Sequence, residues 1–454
     1  MVVQGILYFS GARMPAMLMT LKVRLKVRKT AGEKLRRAMG CARFVHNFLL
    51  SETKSDYEGW LEEKESRLIY GEAFSPEEAE ALCVRPEAVS KYSFNYRLKL
   101  PKKQYPFPVS DAPAQILQQE CQRLAGACKR FFEGKGGYPR FKRRGASAGS
   151  IRYPQSVRFD LKRRRLFLPK LGWLNLFNKQ LPLTPEQAQG IHAATVVREG
   201  DRFYACLEYT VTVPGTLSAD ELSRACAGLD RGVVIPLMLS DGTHYGDELR
   251  DRIQPLLERI KLLQRRLKHK TEGSRSRRAL RKQIAKLHLK IRNIRRDILH
   301  KATADICKNH VCISVEDLNL KNMSASAKGT AESPGVNVRA KSGLNRELLL
   351  RAPGEAGRML EYKLRLRGGL LIKVPPQYTS QKCSVCGHVS ENSRKSQALF
   401  VCERCGHSAN ADLNAAENIR RAGTARIAGA AGSVMSCHPE PAGERPENRS
   451  AGSP

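Results

Sequence analysis

The sequence lacks a long apolar run, since no stretch of about 18 or more apolar residues has the length of a membrane-spanning helix. It also lacks the regular cysteine spacing of disulfide-rich secreted domains, and nine of its thirteen cysteines follow no rhythm: Cys41, Cys83, Cys121, Cys128, Cys206, Cys226, Cys307, Cys312 and Cys437. We therefore expect reduced thiols in a cytoplasmic protein. Residues 1–18 lack the basic start of a secretion signal. We interpret them as an N-terminal extension, with Met17 and Met19 as alternative starts.

Acidic residues are few relative to basic ones. There are 44 Asp and Glu against 79 Lys and Arg, which gives a formal net charge of +35. A charge of this size repels itself and is tolerated mainly when a polyanion neutralises it. An anionic membrane surface is the alternative partner, but that would require a polybasic amphipathic helix or an anchor. We therefore favour nucleic acid as the partner.

The first half of the chain has the pattern of a β domain that is interrupted by helices. Apolar and basic residues alternate over 19–29, which predicts a strand with one cationic face. The apolar residues then take helical spacing to about residue 133, and short strand-like runs resume over 134–222. The economical interpretation is one small β domain, residues 19–30 and 134–222, with a helical insertion at 31–133.

A long basic helical hairpin follows the strand–turn–strand pattern AGLDRGVVIPLMLSDG in the second half. Its two apolar stripes are marked by Ile253, Leu256, Leu257, Ile260, Leu263 and Leu267, and by Leu280, Ile284, Leu287, Ile291, Ile294 and Ile298. Residues 261–296 hold fifteen Lys or Arg against one acid, Glu272. A solvated helix face is the plain explanation of such a run. Charge of one sign over two apolar stripes nevertheless favours contact with a polyanion.

The remaining elements alternate between strands and helices. VCISVEDLNL predicts a short buried strand that ends in carboxylates. The polar residues 321–343 are expected to be mobile. A helix at about 345–367, the strand GLLIKVP, a cysteine cluster and the helix ADLNAAENIRRA follow. Residues 425–454 have low complexity and are expected to be disordered.

Two CxxC pairs are separated by fifteen residues and consist of Cys383, Cys386, Cys402 and Cys405. Such pairs place four thiolates on two tight turns, which together complete a tetrahedral zinc site. Gly387 and Gly406 follow the pairs and suit the positive φ of these turns. A redox pair is the alternative. Because four cysteines fill the coordination shell without His388 or His407, we expect a structural zinc.

Three acids stand out by their context in the predicted elements. Asp230 ends the strand AGLD, Glu316 ends the strand ISVE, and Asp412 opens the helix DLNAAENI. Nucleases that use Mg²⁺ or Mn²⁺ need carboxylates from separate elements to converge around two ions about 4 Å apart. When each residue is taken alone, turn formation explains Asp230 better than catalysis does, and helix capping explains Asp412 better. The order of the three in a strand–hairpin–helices–strand–helix frame favours the catalytic hypothesis.

Several of these motifs together resemble one known family. GLDRG, VEDLNLKNM, YTSQKCSVCG with VCERCG, and DLNAAENI are similar to segments of the TnpB (OrfB) proteins of bacterial insertion sequences. CARFVHNFLL, AQILQQECQRLAGACKRFF and YPRFKRRG in the first half agree. The resemblance covers roughly residues 19–424. Members of that family are RNA-guided DNA endonucleases related to the type V CRISPR effectors.

The resemblance implies a mixed α/β multidomain fold. Residues 19–30 and 134–222 would form a small β-barrel wedge domain, and 31–133 its helical recognition insertion. Residues 223–378 and 411–424 would form an RNase H-like (RuvC) nuclease domain with an inserted zinc ribbon, residues 379–410, that binds target nucleic acid.

The resemblance also implies the ligands and the partners. Asp230, Glu316 and Asp412 would be the catalytic acids that hold Mg²⁺ or Mn²⁺, and the four cysteines would hold zinc. The partners would be a guide RNA from the end of the mobile element and double-stranded target DNA, cut beside a short motif by a monomer in the ribonucleoprotein. Base pairing would then read the sequence while the protein holds phosphates.

Three positions depart from the family pattern. Arg231 follows the first acid where an apolar residue is common, and it either holds phosphate or points outward. Asn410 stands where many relatives carry another acid. The segment APGEAG at 352–357 replaces an expected tryptophan-bearing stretch.

Two other functions stay open at this stage. A regulator that binds under RNA guidance without cutting would use the same fold, but all three acids are present and favour cutting. A transposase that joins strands is the other alternative. The sequence has no His-hydrophobe-His motif that would support single-strand transposase chemistry.

Overall fold

The computed structural model describes residues 16–70, 75–78, 90–105, 109, 112–143, 149–178, 180–215, 217–232, 235–330, 333–396 and 398–435. The chain is a mixed α/β protein with two compact units, Ala16–Thr212 and the part from Val213 onward. Among the described residues, no helix is both long and apolar enough to span a membrane.

The sheet of the first unit is built from seven described strands: β1 (Ala16–Lys26), β2 (Ser150–Tyr153), β3 (Arg158–Asp160), β4 (Arg165–Leu168), β5 (Gly172–Leu176), β6 (Ala193–Glu199) and β7 (Arg202–Thr212). Their order is β2-β6-β7-β1-β5-β4-β3, with antiparallel neighbours. Strand β1 pairs with β7 from Ala16 to Arg24 and with β5 through Leu25 and Lys26. Residues 16–18, which were expected to be part of an extension, therefore belong to the sheet.

The helices of the first unit are α1 (Lys29–Ile69), α2 (Lys91–Arg97), α3 (Lys99–Gln104), α4 (Ala114–Phe132) and α5 (Pro185–Gln189). The first four lie between β1 and β2 in the chain. Helix α1 packs against α4, and the core includes fully buried Leu35, Val45 and Leu49 of α1 with Leu117 and Leu124 of α4. The apolar residues at helical spacing thus form one face that is buried on folding.

The second unit contains a five-stranded sheet of β8 (Cys226–Asp230), β9 (Leu237–Leu239), β10 (His244–Tyr245), β11 (Cys312–Glu316) and β12 (Leu370–Val374). The order is β10-β9-β8-β11-β12, in which β8, β11 and β12 are parallel and β9 and β10 are antiparallel to their neighbours. Leu229 lies opposite Val315 in this register. Asp230 and Glu316 are the next residues of their strands, so the sheet places both at the same edge.

The helices of the second unit are α6 (Ala219–Arg224), α7 (Glu248–Lys268), α8 (Arg275–Asn309), α9 (Leu320–Met323), α10 (Val338–Arg351), α11 (Pro353–Arg365) and α12 (Ala411–Met435). The hairpin α7–α8 buries the two predicted apolar stripes against each other. Eleven of the fifteen cations of residues 261–296 are exposed, while Arg277, Arg292, Arg295 and Arg296 are partly buried. The hairpin therefore presents a strongly cationic surface.

Two expectations about this unit were wrong. The single helix predicted at about 345–367 is two helices, because Ala352 takes a φ of +49° before Pro353, a residue that disfavours helical backbone in its predecessor. The segment 321–343 includes most of α9 and the first turns of α10, and its mobility stays a prediction. Helix α12 continues to Met435, well into the tail that was expected to be disordered. Residues 436–454 lie outside the described residues.

Helix α12 lies unusually close to the sheet because glycines face it. A Cβ on Gly228 of β8 would be 1.9 Å from the carbonyl oxygen of Ala416, and one on Gly423 of α12 would be 1.7 Å from Oγ of Ser314. Neither distance is compatible with a larger residue. The glycine of the AGLD strand therefore serves the packing of the helix that begins with Asp412.

Candidate nuclease centre and four-cysteine module

The four predicted zinc ligands come together in the segment 379–410, which we call the four-cysteine module. It includes strands β13 (Leu399–Val401) and β14 (Ser408–Asn410). The ligand sulfurs all lie within 4.8 Å of one another. The Sγ atoms of Cys383 and Cys405 are 3.7 Å apart, and those of Cys386 and Cys402 are 3.6 Å apart. A tetrahedral set of Zn–S bonds of about 2.3 Å would separate its sulfurs by about 3.8 Å, so the cluster fits zinc.

The two CxxC turns have the same backbone geometry. The amide of Cys383 donates to the carbonyl of His388 at 2.8 Å, and that of Cys402 donates to His407 at 2.9 Å. Gly387 and Gly406 have φ values of +76° and +69°, as the turn chemistry predicted. The two histidines thus contribute backbone carbonyls to the turns, and the thiols alone form the cluster.

The three predicted acids approach one another from β8, β11 and α12. Burial, followed by the charges of Glu316 and Asp412, raises the pKa of Asp230 to about 7. A Cβ on Gly232, in the turn after Asp230, would lie 3.8 Å from Oδ2 of Asp412. The three carboxylates are less tightly gathered than the thiols. Among the described residues, only the four cysteines form a set of three or more potential ligands within 4.8 Å of one another.

Asn410, and not Asp412, caps the N-terminus of helix α12. Oδ1 of Asn410 accepts hydrogen bonds from the amides of Asp412 at 2.9 Å and of Leu413 at 3.2 Å, as an N-cap residue does. The side chain of Asp412 is free of that task and is 6 % exposed. Burial raises its pKa, although the charge of Arg394 opposes the shift. Asn410 therefore supports the helix that carries the acid.

Two cations lie near the acids: Arg394 was not predicted from the sequence, and Arg231 was expected to hold phosphate or to point outward. Arg394 follows a short 3₁₀ turn at Glu391–Ser393 in the four-cysteine module, and its Nη2 lies 3.3 Å from Oδ1 of Asp412. Arg231 points inward, not to solvent, and donates to the backbone carbonyl of Glu316. No local pattern identified the partners of these two residues, because the partners are far away in the sequence.

The inward position of Arg231 explains a second departure from the family pattern. Its Nη1 donates to the carbonyl of Pro353 at 3.4 Å, and a Cβ on Gly357 would lie only 3.1 Å from the same nitrogen. The segment APGEAG thus leaves room for the guanidinium and supplies an acceptor. The two unusual segments fit each other.

Comparison with known proteins identifies the family. Residues 354–419 match the TNB domain of Cas12f1-like proteins, residues 206–327 match the OrfB family of IS605 elements described as "Probable transposase", and residues 14–60 match its helix-turn-helix domain. The chain is 43 % identical over 323 residues to the RNA-guided DNA endonuclease InsQ of Escherichia coli (strain K12), covering 70 % of this chain and 77 % of that protein. The chain belongs to the TnpB (OrfB) family of RNA-guided DNA endonucleases.

Two further matches are more distant. An RNA-guided DNA endonuclease of Streptomyces pristinaespiralis is 28 % identical over 403 residues, which is 87 % of this chain and 86 % of that protein. Among solved structures, the Cas12f1–sgRNA–target DNA complex matches with a TM-score of 0.47 and 15 % identity, over 89 % of this chain and 99 % of that chain. In the present chain, the family's helix-turn-helix region is strand β1 followed by the first part of the single helix α1.

Proposed function

We propose that this chain is a divalent-metal-dependent endonuclease that is guided by RNA from the end of a mobile element and cleaves double-stranded DNA beside a short motif. The observation that carries the proposal is the meeting of Asp230, Glu316 and Asp412 from three separate elements, where burial and then the charges of the other two acids raise the pKa of Asp230 to about 7. A folded protein keeps such mutually repelling acids together mainly where a cation or a reaction requires them.

The topology of the second unit supports an RNase H-like (RuvC) assignment. Three parallel strands flanked by an antiparallel pair place two acids at one sheet edge, and α12 adds the third. We assign 223–378 and 411–424 to this nuclease domain and 379–410 to a zinc ribbon. The β sheet of the first unit would be the wedge barrel, and the helices within 31–133 its recognition insertion.

The residues at the centre have distinct roles in this proposal. Bound Mg²⁺ or Mn²⁺ would supply charge neutralisation and an acidified water for attack on the phosphodiester. Asp230 and Glu316 offer hard oxygen ligands from the sheet edge, and Asp412 offers one from α12. Arg394, already paired with Asp412, is placed to neutralise phosphate charge. The four-cysteine cluster would hold zinc in a closed shell, because four thiolates leave no open position.

The cationic hairpin α7–α8 supports binding of nucleic acid. Its eleven exposed cations between residues 261 and 296 give a surface suited to phosphates, with no requirement for a base sequence. We propose that guide RNA or the guide–target hybrid binds there, with one protein chain in each ribonucleoprotein. Because the family acts on DNA, we place the protein in the cytoplasm, with the nucleoid.

The decisive experiment is cleavage of a target plasmid by the ribonucleoprotein with Mg²⁺. Asp230→Ala should lower the cleavage rate at least about 1,000-fold while guide-dependent binding to the target persists, because the residue holds metal and not nucleic acid. Asp317→Ala is the matched control. Asp317 is exposed beside Glu316 and pairs only loosely with Lys373 at 3.5 Å, so this variant should cut normally.

Cleavage by Asp230→Ala at the wild-type rate would refute the assignment of the catalytic acids. Guide-dependent binding by the wild-type protein without cleavage would instead favour an RNA-guided regulator, and joined DNA products would favour a transposase.

The zinc assignment has its own test. Protein purified under reducing conditions without chelators should contain about one zinc per chain, and Cys383→Ser with Cys402→Ser should remove it. Absence of zinc from the wild-type protein would refute the assignment.

A further inference from the structure

Thr379 connects the four-cysteine module to the nuclease centre. Its Oγ1 donates to Oε1 of Glu316 at 2.5 Å. The same oxygen lies 3.1 Å from the carbonyl of Pro376, but a hydroxyl has one proton, and the shorter contact goes to the charged acceptor. Thr379 is 8 % exposed, so water does not readily replace this bond. The hydroxyl therefore restricts the orientation of the Glu316 side chain.

Two asparagines of α12 hold the segment that contains Thr379. Nδ2 of Asn418 donates to the carbonyl of Thr379 at 2.9 Å and to that of Lys382 at 2.7 Å. Nδ2 of Asn414 donates to the same Lys382 carbonyl at 2.8 Å, and its Oδ1 accepts from the amide of Ser384 at 2.9 Å. Lys382 and Ser384 flank the ligand Cys383.

These contacts are buried and specific. Asn414 is 1 % exposed and Asn418 is 6 % exposed, and each uses its amide group on backbone atoms of the module. A buried amide that lost these partners would carry a large desolvation cost. Asn414 and Asn418 lie two and six residues after Asp412 on the same helix. One set of bonds thus ties the first CxxC turn, Glu316 and the helix that bears Asp412.

We propose that Thr379 is a positioning residue for the nuclease centre, and that Asn414 and Asn418 couple it to the four-cysteine module, so that the folded module sets the orientation of Glu316. The inference depends on the proposed function, because it assumes that Glu316 is a ligand of the divalent ion. It predicts that the module contributes to binding of that ion although its own cysteines do not touch it.

The test is titration of the full-length protein with Mn²⁺, followed by the electron paramagnetic resonance signal of the free ion. Thr379→Val, which keeps the side-chain shape and removes the hydroxyl, should weaken Mn²⁺ binding about tenfold, as expected for a group that orients a metal ligand. Thr379→Ser keeps the hydroxyl and should restore binding to within about twofold of wild type. Zinc content should stay the same in both variants.

A matched control lies elsewhere in the module. Ser390 is partly buried and also carries a hydroxyl that bonds a carboxylate, but it donates to Oε2 of Glu403 at 2.7 Å and not to an acid of the centre. Ser390→Ala should leave the Mn²⁺ affinity unchanged. Asn418→Ala should weaken it as Thr379→Val does, and serves as the second variant if Thr379→Val does not fold.

Two outcomes separate failure of the inference from failure of the proposed function. If Glu316→Gln leaves Mn²⁺ binding unchanged, Glu316 is not a ligand, and both the proposed centre and the inference fall. If Glu316→Gln weakens binding but folded, zinc-loaded Thr379→Val and Asn418→Ala bind Mn²⁺ like the wild type, only the positioning role is overturned.

Discussion

Glu120 in the first unit is buried and Asp230 in the second is partly buried, and the surroundings of the two acids are opposite. In the first unit, Glu120 is 2 % exposed and lies among cationic partners. Its Oε1 is 2.9 Å from Nδ1 of His46 and is bonded by Lys142, and its Oε2 is 3.5 Å from Nη1 of Arg123. In the second unit, Asp230 lies beside Glu316 and Asp412, with Arg394 as the opposing charge.

The pKa values of the two acids record this difference. Burial by itself raises the pKa of Glu120, but hydrogen bonds and charge from His46 and Lys142 outweigh it and hold the pKa below its ordinary value. Burial and the neighbouring acids act in the same direction on Asp230 and raise its pKa to about 7. Removal of a buried acid from its cationic partners destabilises a fold, whereas acids crowded together cost stability and indicate a binding or catalytic centre.

Glu120 helps to fix the segment that contains Lys142. The segment that provides Lys142 is fixed to α1 by Asn47, which donates to the carbonyl of Lys142 at 3.0 Å and accepts from its amide at 2.8 Å. Glu120 on α4 and Asn47 on α1 therefore hold the same segment, which is not part of a strand. The charge of Glu120 thus links the two helices to the part of the chain that leads into the sheet.

The largest stability effect should come from removing the charge of Glu120 from among its cationic partners. Glu120→Gln should lower the free energy of unfolding by about 3 kcal/mol at pH 7, because buried His46 and partly exposed Lys142 and Arg123 lose a charged acceptor. Urea denaturation followed by circular dichroism measures this. Glu133→Gln, on the exposed end of α4, is the control and should have no measurable effect. Equal stability of Glu120→Gln and wild type would show that the cluster is not structural.

The loss in Glu120→Gln should depend on pH. The pKa of Glu120 is lowered, so its contribution is fully present above its ordinary value of 4.5 and is lost as the pH falls through the folded-state value. The difference between variant and wild type should therefore shrink below pH 4.5.

A smaller effect should follow removal of the Arg231 guanidinium, which lies beside the acids of the nuclease centre. Arg231→Leu should cost about 2 kcal/mol of unfolding free energy, because the carbonyls of Glu316 and Pro353 lose a charged donor. Arg231→Lys should recover only part of this, since one ammonium does not span both acceptors as the guanidinium fork does. Thermal and urea unfolding of the three proteins checks the order. A fully stable Arg231→Leu protein would mean that the guanidinium is not needed in the interior.

The smallest effect should have the opposite sign. Asp230→Asn should raise the unfolding free energy by about 1 kcal/mol at pH 8, because it removes one of three mutually repelling acids. Since the pKa of Asp230 is raised to about 7, its cost is full above pH 7 and fades toward its ordinary value of 3.8. The gain should accordingly vanish near pH 4. A destabilised Asp230→Asn protein at pH 8 without added metal would contradict the crowding argument.

The parts of the fold that the sequence predicted are those in which the pattern is local. Alternation over β1 and the stripes of Ile and Leu in α7 and α8 depend only on the period of the element. Some element ends that the pattern did not predict also have local causes. The break between α10 and α11 at Ala352, directly before Pro353, is one of them. The length of α12 was also misjudged, because its low-complexity continuation was interpreted as tail.

The sequence by itself determined the four-cysteine cluster, since two CxxC pairs with their glycines form turns that need no distant partner. It also proposed the three acids, because strand ends and a helix start are visible in the pattern.

Only the tertiary structure decided what surrounds those acids. It made Asn410 the helix cap, turned Arg231 inward toward Glu316, brought Arg394 to Asp412 and placed Thr379 on Glu316. The physical reason is the distance along the chain: apart from the helix cap, these contacts join residues that are 18 to 85 positions apart. No period or spacing records such contacts, and they arise when β8, β11 and α12 pack together.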